Sequence, residues 1–189
     1  MKQDEIRQFI LGGQWKSIAP ELRPSISKSA AGDMQPFYLT RLFEYTAGDG
    51  FACTVVNFAD PQARVPLLQI LIRGHLRWQG EHAIAAGAFK VDYVADEAYA
   101  VTPLHQGAAD AFNRAPVEGL DAWAVGRSQD LMGKSFPAFA LSEGRTYVDY
   151  DLIYVYGDLL FNGSKHVDGR AFDKPENRPT NLQIPLVRG

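Results

Sequence analysis

Gly12-Gly13-Gln14-Trp15-Lys16-Ser17-Ile18-Ala19-Pro20-Glu21-Leu22-Arg23-Pro24 is the stretch on which the fold reading turns. The glycine pair ends an amphipathic helical turn, and a lone Trp15 then opens the first extended segment. Glycine lets backbone pack close beneath an indole, the largest apolar plug a chain can supply. Glu21 and Arg23, two residues apart in an extended segment, point to the same face. The stretch therefore reads as the floor of a β-sheet wrapped into a barrel or half-barrel. The plainer reading is a surface strand carrying a weak, solvated ion pair.

Working outward, Asp4 to Leu11 has helical spacing with Ile6, Phe9 and Ile10 on one side, a short helix suited to plugging the end of a sheet. Ser25 to Pro36 is small and polar and reads as a loop. Phe37 to Thr46 alternates, with Phe37, Leu39, Arg41, Phe43 and Tyr45 on one face. Gly48-Asp49-Gly50 turns the chain into a strand from Phe51 to Phe58, which Asp60-Pro61 breaks. Leu67 to Trp78 is the longest strand candidate, with Leu68, Ile70, Ile72, Leu76 and Trp78 opposite Gln69, Arg73, His75 and Arg77. A segment from Glu81 to Tyr93, dense in small residues at Ala85 to Ala88, precedes a short strand from Tyr99 to Thr102. His105 to Arg114 is the one internal helix, and further strands are expected over Trp123 to Leu131, Phe136 to Leu141, Arg145 to Tyr156, Leu159 to Asn162 and Leu182 to Val187. About ten strands joined by short turns, with two helices, match a meandering antiparallel sheet in one domain spanning 1–189.

Composition narrows the function. Of the 189 residues 46% are hydrophobic, enough for a sizeable core, and the 19 basic and 22 acidic side chains form no like-charged block. Nothing therefore points to nucleic acid or an anionic membrane surface. The longest apolar run, Val65 to Ile72, is interrupted by Pro66 and Gln69 and is too short for membrane insertion. A single cysteine, Cys53, and a polar start fit a soluble cytoplasmic protein. The four histidines show no metal-ligand spacing, and phosphate-cradling loops, nucleophile elbows and dinucleotide fingerprints are missing, so neither metal nor cofactor is expected.

Acid–base chemistry stays open, with Glu21, Asp60, Asp149, Asp151 and His105 as candidates. Asp149 and Asp151 share a strand face with Tyr147, Ile153 and Val155. The favoured reading turns that face outward into water; turned inward, two close carboxylates would raise one pKa. Arg41 stands on an otherwise apolar face, where an unpaired guanidinium is prohibitively costly. It must meet a carboxylate, an aromatic face or a ligand's anionic head, and Glu21 is the named partner.

Taken in order, these motifs resemble the adenomatosis polyposis coli down-regulated (APCDD) family. Its opening, Gly-x-Trp-x-Ser followed by Cys-Glu-x-Arg-Pro, is matched by Gly13, Trp15, Ser17, Glu21, Arg23 and Pro24. Thr40-Arg41 with Phe43, then Asp60-Pro61, Pro66 and Arg73-Gly74, follow its next strands. Val101-Thr102-Pro103, Trp123 with Val125-Gly126, Gln129-Asp130, Leu160-Phe161-Asn162-Gly163, Arg178, Gln183 and Pro185-Leu186 complete a collinear series. The Gly-x-Trp opening is shared more loosely with lipocalins. The resemblance implies a lipocalin-like, incompletely closed antiparallel β-barrel with a hydrophobic pocket. Animal members carry two such domains in tandem on a membrane anchor, inhibit Wnt signalling and are thought to hold a lipid or acyl chain. Here Pro20 and Ala63 stand where the family has cysteines, and no second domain, signal peptide or anchor is evident. These departures weigh against a Wnt role, leave the pocket in place, and raise a homodimer in which two copies occupy the places of the tandem pair.

The function expected is binding of a small apolar or amphipathic molecule, such as a lipid or acyl chain, in the barrel cavity. Its wall would comprise Trp15, Leu39, Phe43, Tyr45, Ile70, Ile72, Trp78 and Trp123, with Arg23, Arg41 or Arg73 holding a polar head. The alternative is a cofactorless cyclase or isomerase acting on an apolar intermediate in the same cavity, with Glu21, Asp149 or His105 as the acid or base.

Overall fold

In a computed structural model, which describes residues 1–24, 32 and 36–189, the chain closes into an antiparallel barrel. Ten strands form one sheet: β1 (Gln14–Ser17), β2 (Glu21–Arg23), β3 (Phe37–Thr46), β4 (Gly50–Phe58), β5 (Pro66–Glu81), β6 (Phe89–Pro103), β7 (Gln129–Asp130), β8 (Tyr147–Tyr156), β9 (Leu159–Asn162) and β10 (Leu186–Arg188). β1 pairs with β10 on one side and with β3 on the other, so the path β1-β10-β9-β8-β6-β5-β4-β3 returns to its start. Eight strands make the closed wall, and β2 and β7 extend it from β3 and β6. The barrel is thus closed, where the family likeness implied a gap. The loop expected over Ser25 to Pro36 lies almost wholly outside the described residues.

Strand alternation aims the interior. On β3 the odd-numbered set, Leu39, Arg41, Phe43 and Tyr45, is buried, and its partners on β4, among them Phe51 and Cys53, face the same way. Helix α1 (Gln3–Ile10) lays Ile6 and Ile10 across one end, and Gly12, at φ 71°, turns the chain into β1. Trp15 is fully buried there, its Nε1 donating to the Ile10 carbonyl at 3.0 Å, with the Arg188 guanidinium 4.7 Å from its ring. At the other end α2 (Gln106–Asn113) and residues 115–141 pack Ala109, Trp123, Leu131, Phe136 and Leu141 against Ile70, Tyr99 and Val101. The barrel interior between these two plugs is where a cavity remains.

Several expected elements take another form. β6 is one long strand, not a segment before Tyr93 and another after Tyr99; its register against β5 shifts between Arg73 and His75, and the extra residues are accommodated as a bulge. The strand expected over Trp123 to Leu131 is mostly irregular, leaving only β7. Asn113 replaces the missing ladder: its amide donates to the Trp123 carbonyl at 2.9 Å and accepts from the Trp123 N–H at 2.8 Å. Phe136 to Leu141 is a tight loop around Pro137, and Phe136 and Leu141 bond to each other at its base. Pro185 carries no N–H, and the last strand begins only after it.

Because Trp15 is fully buried at the α1 end, Trp15→Ala should cost about 3–5 kcal/mol in urea unfolding, as large aromatic core truncations do; a loss under about 1 kcal/mol would show that the indole is not the plug.

Candidate functional site

A half-enclosed cavity of about 220 Å³ occupies the barrel between the plugs. Its apolar wall includes Phe37, Leu39, Phe43, Phe51, Val55, Ile70 and Ile72 from β3, β4 and β5. β6 and β8 add Tyr93, Tyr99, Tyr147, Asp149 and Asp151. Arg23 and Arg41 stand at the β2–β3 side, and Lys165, Ala171 and Phe172 come from the segment after β9.

The two arginines are held by one carboxylate. Glu21, with no exposed surface, accepts from Arg41 Nε at 2.8 Å through Oε1 and from Arg23 Nη2 at 2.7 Å through Oε2. Ser17 Oγ donates to the same Oε1 at 2.8 Å and accepts the Arg41 main-chain N–H at 2.8 Å. Burial alone would raise the Glu21 carboxyl, but the Arg41 and Arg23 charges hold it below its ordinary value. Arg41 continues to Asn162 Oδ1 at 3.3 Å, Asn162 donates to the Tyr93 hydroxyl at 2.9 Å, and that hydroxyl meets Tyr45 Oη at 3.0 Å. The network thereby joins β1, β2, β3, β6 and β9. It leaves two guanidinium nitrogens over: among the described residues, buried Arg41 Nη2 and Arg23 Nε find no partner.

Asp149 and Asp151 face inward, which corrects the wet, outward reading. β8 pairs Tyr93 with Asp149 and Val91 with Asp151, and its inward row continues through Ile153 and Val155 into the core. Asp151 accepts the main-chain N–H of Leu152 at 2.7 Å and of Gly163 at 2.8 Å. Gly163 is required there, since a Cβ would collide with Pro179 and the Asp151 carboxylate. Burial, and next the Asp151 charge, push the Asp149 carboxyl up to about 7, against the pull of Arg23, Arg41 and Lys165. Cys53 also lines the cavity, but burial pushes its thiol up to about 12, so it is protonated near neutral pH.

The other residues singled out in the sequence divide by position. Leu39, Phe43, Ile70, Ile72, Arg23 and Arg41 do meet at the cavity. Trp15 and Tyr45 belong to the plugged end, and Trp123 to the opposite plug. Half-buried Trp78 donates to Asp49 Oδ1 at 3.1 Å, away from the cavity. Arg73 is exposed on the outer face, so it cannot hold a head group inside. His105 is exposed and caps α2, its Nδ1 accepting from Gly107 N at 3.1 Å. Glu21 is sealed between its cations, which leaves Asp149 of the proposed acid–base trio beside open space.

Lys165, Ala171 and Phe172 were not foreseen, because the segment from Ser164 to Pro179 has no periodicity to read. Arg178 pins that segment: it donates to the carbonyls of Val91 at 2.7 Å and Asp151 at 2.5 Å, and to Asp92 Oδ1 at 2.5 Å. Tyr150 N donates to the Phe172 carbonyl at 2.8 Å, seating Phe172 over the cavity. The one signal the sequence offered was Arg178, which stands in the motif series. Among the described residues no group of His, Cys, Asp and Glu has a metal-holding arrangement, and no helix is long and apolar enough to cross a membrane. No model of a known protein family matches the chain.

Two stability tests follow from these charges. Glu21→Gln leaves two guanidinium groups buried without their counter-ion and should cost about 3–5 kcal/mol in urea unfolding. Asp149 binds its proton more tightly folded than unfolded, so its ionisation should make stability fall as pH rises from about 4 to about 7. Asp149→Asn should therefore stabilise the protein by about 2–4 kcal/mol at pH 8 and by little at pH 4; equal effects at both pH values would show that Asp149 titrates normally.

Proposed function

We propose that the chain is a binding protein for a small amphipathic molecule, held in the barrel with its apolar body against Phe37, Leu39, Phe43, Val55, Ile70 and Ile72 and its polar end toward Arg41 and Arg23. The observation that carries this reading is the cavity itself: mostly apolar, half-enclosed, with a few convergent polar groups. At about 220 Å³ it lies below the roughly 300–1,000 Å³ of drug-sized sites. That favours a short alkyl chain or a single ring system over a whole long-chain lipid, whose tail would have to protrude. Kinship with the APCDD family is part of the proposal, resting on the collinear motifs. Of these, Glu21, Arg23 and Arg41 sit around one carboxylate, and Asn162 and Gly163 bond to the same inner network. A homodimer and a cytoplasmic location remain parts of the same reading, the second supported by the single cysteine.

One observation favours a second reading. Asp149 places a carboxyl that burial pushes up to about 7 on the wall of an apolar cavity, the arrangement of a general acid or base. A cofactorless cyclase or isomerase would use Asp149, with Glu21 as a fixed counter-ion and His105 outside the site.

Native mass spectrometry of the purified protein should detect a retained amphipathic molecule, lost on organic extraction and regained on exposure to medium-chain fatty acids or alcohols. Val55→Trp, which fills the cavity from the middle of β4, should reduce that uptake at least about tenfold with the circular dichroism unchanged. An extracted protein that takes up none of these compounds would overturn the binding reading.

A further inference from the structure

The charges around the cavity form a set that balances only when Asp149 is ionised. Among the described residues, Arg23, Arg41 and Lys165 stand against Glu21, Asp149 and Asp151, all lining the cavity except Glu21, which lies behind the two arginines. Glu21 is committed to its two ion pairs and Asp151 to two main-chain N–H groups. Asp149 has no such main-chain donor among the described residues. With Asp149 protonated the set carries one surplus positive charge, shared among Arg23, Arg41 and Lys165 on the cavity wall. A buried charge that lacks a counter-charge is costly, and so is a second like charge beside an existing one. The three cations can therefore hold one further negative charge, that of Asp149 or that of a guest, but not both side by side.

We infer that the cavity takes a monoanionic amphiphile in exchange for the charge on Asp149: the guest's head settles toward Arg41 and Arg23, and Asp149 takes up one proton from solvent. This deepens the binding reading and rests on it. The balance is simple: ionised protein, anionic guest and one proton give a complex in which Asp149 is neutral and the guest keeps its charge. No covalent bond of the guest is made or broken.

The groups facing Asp149 leave it as the one that exchanges its proton in the neutral range. From its own strand come Tyr147 and Asp151, from β6 Tyr93 and Tyr99, from β4 Cys53, from β3 and β2 Arg41 and Arg23, and from the segment after β9 Lys165. Burial raises the Tyr93, Tyr99, Tyr147 and Cys53 groups, which stay protonated. Glu21 is held ionised by its arginines. Asp151 is also raised by burial, and what sets it apart from Asp149 is geometric: two main-chain N–H groups donate to its carboxylate. Lys165 is lowered by burial, so its loss of charge at alkaline pH would also weaken an anion, and the test must separate the two. Asp149 itself is already pushed up to about 7, and a guest anion beside it moves it further the same way.

Octane-1-sulfonate, whose charge is fixed across the range, and 1-octanol, with the same chain and none, are the probes. Isothermal titration calorimetry should give a sulfonate Kd that is level below about pH 6 and weakens about tenfold per unit above about pH 7. In two buffers of different ionisation enthalpy at pH 8, close to one proton should be taken up per sulfonate bound and none per octanol. Asp149→Asn should bind the sulfonate at the acid-side affinity, with no pH dependence and no proton uptake. The wild-type proton count decides the matter even if that variant folds poorly. Sulfonate binding without proton uptake, a pH dependence that persists in Asp149→Asn, or octanol accepted while the sulfonate is refused would each overturn the inference and leave the binding reading standing. Refusal of both probes would count against that reading as well.

Discussion

A carboxylate with no exposed surface, held between two arginines, is the constraint around which this barrel is built. Three ionised side chains inside an apolar wall are tolerable only if each finds its counter-charge and most of its hydrogen bonds. Glu21 meets that condition by drawing Arg23 from its own short strand and Arg41 from the next. The price of an inward charge on β3 is thus met from β2, and this fixes how the two strands register, Glu21 opposite Leu39 and Arg23 opposite Phe37. Ser17 and Asn162 extend the same bonding to β1 and β9, so the polar network spans the region where the sheet closes on itself.

The parts of the fold that could be read in the sequence are those with a strict period and a physical contradiction to resolve. β3 alternates cleanly over its whole length, and an arginine on its apolar face demanded a partner, which is how Glu21 could be named before any geometry. β8 offered no such contrast. Its two faces, Tyr147-Asp149-Asp151-Ile153-Val155 and Val148-Tyr150-Leu152-Tyr154-Tyr156, are each part apolar and part polar, so alternation alone could not decide between them. The clue lay further along the strand, where Ile153 and Val155 commit the Asp-bearing face to the core.

Irregular segments were opaque for a different reason. Trp123 and its neighbours have the composition of a strand, yet their backbone is satisfied by the side chain of Asn113 on α2, a partner that no local pattern can reveal. Lys165 and Phe172 reach the cavity because Arg178 binds their segment to the carbonyls of β6 and β8. Such placement depends on contacts between residues far apart in sequence, and periodicity carries no trace of it.

The wall of the barrel is not equally strong all round. β3, β4, β5 and β6 are nine to sixteen residues long, while β9, β10 and β1 have only three or four each. A sheet parts most cheaply where its ladders are shortest, because the fewest backbone bonds are broken at once. The side of the cylinder beside Asn162 is therefore a natural seam. Transient loosening there would admit solvent to the buried polar network while the long strands kept their shape, giving the interior a second route of exchange besides its mouth.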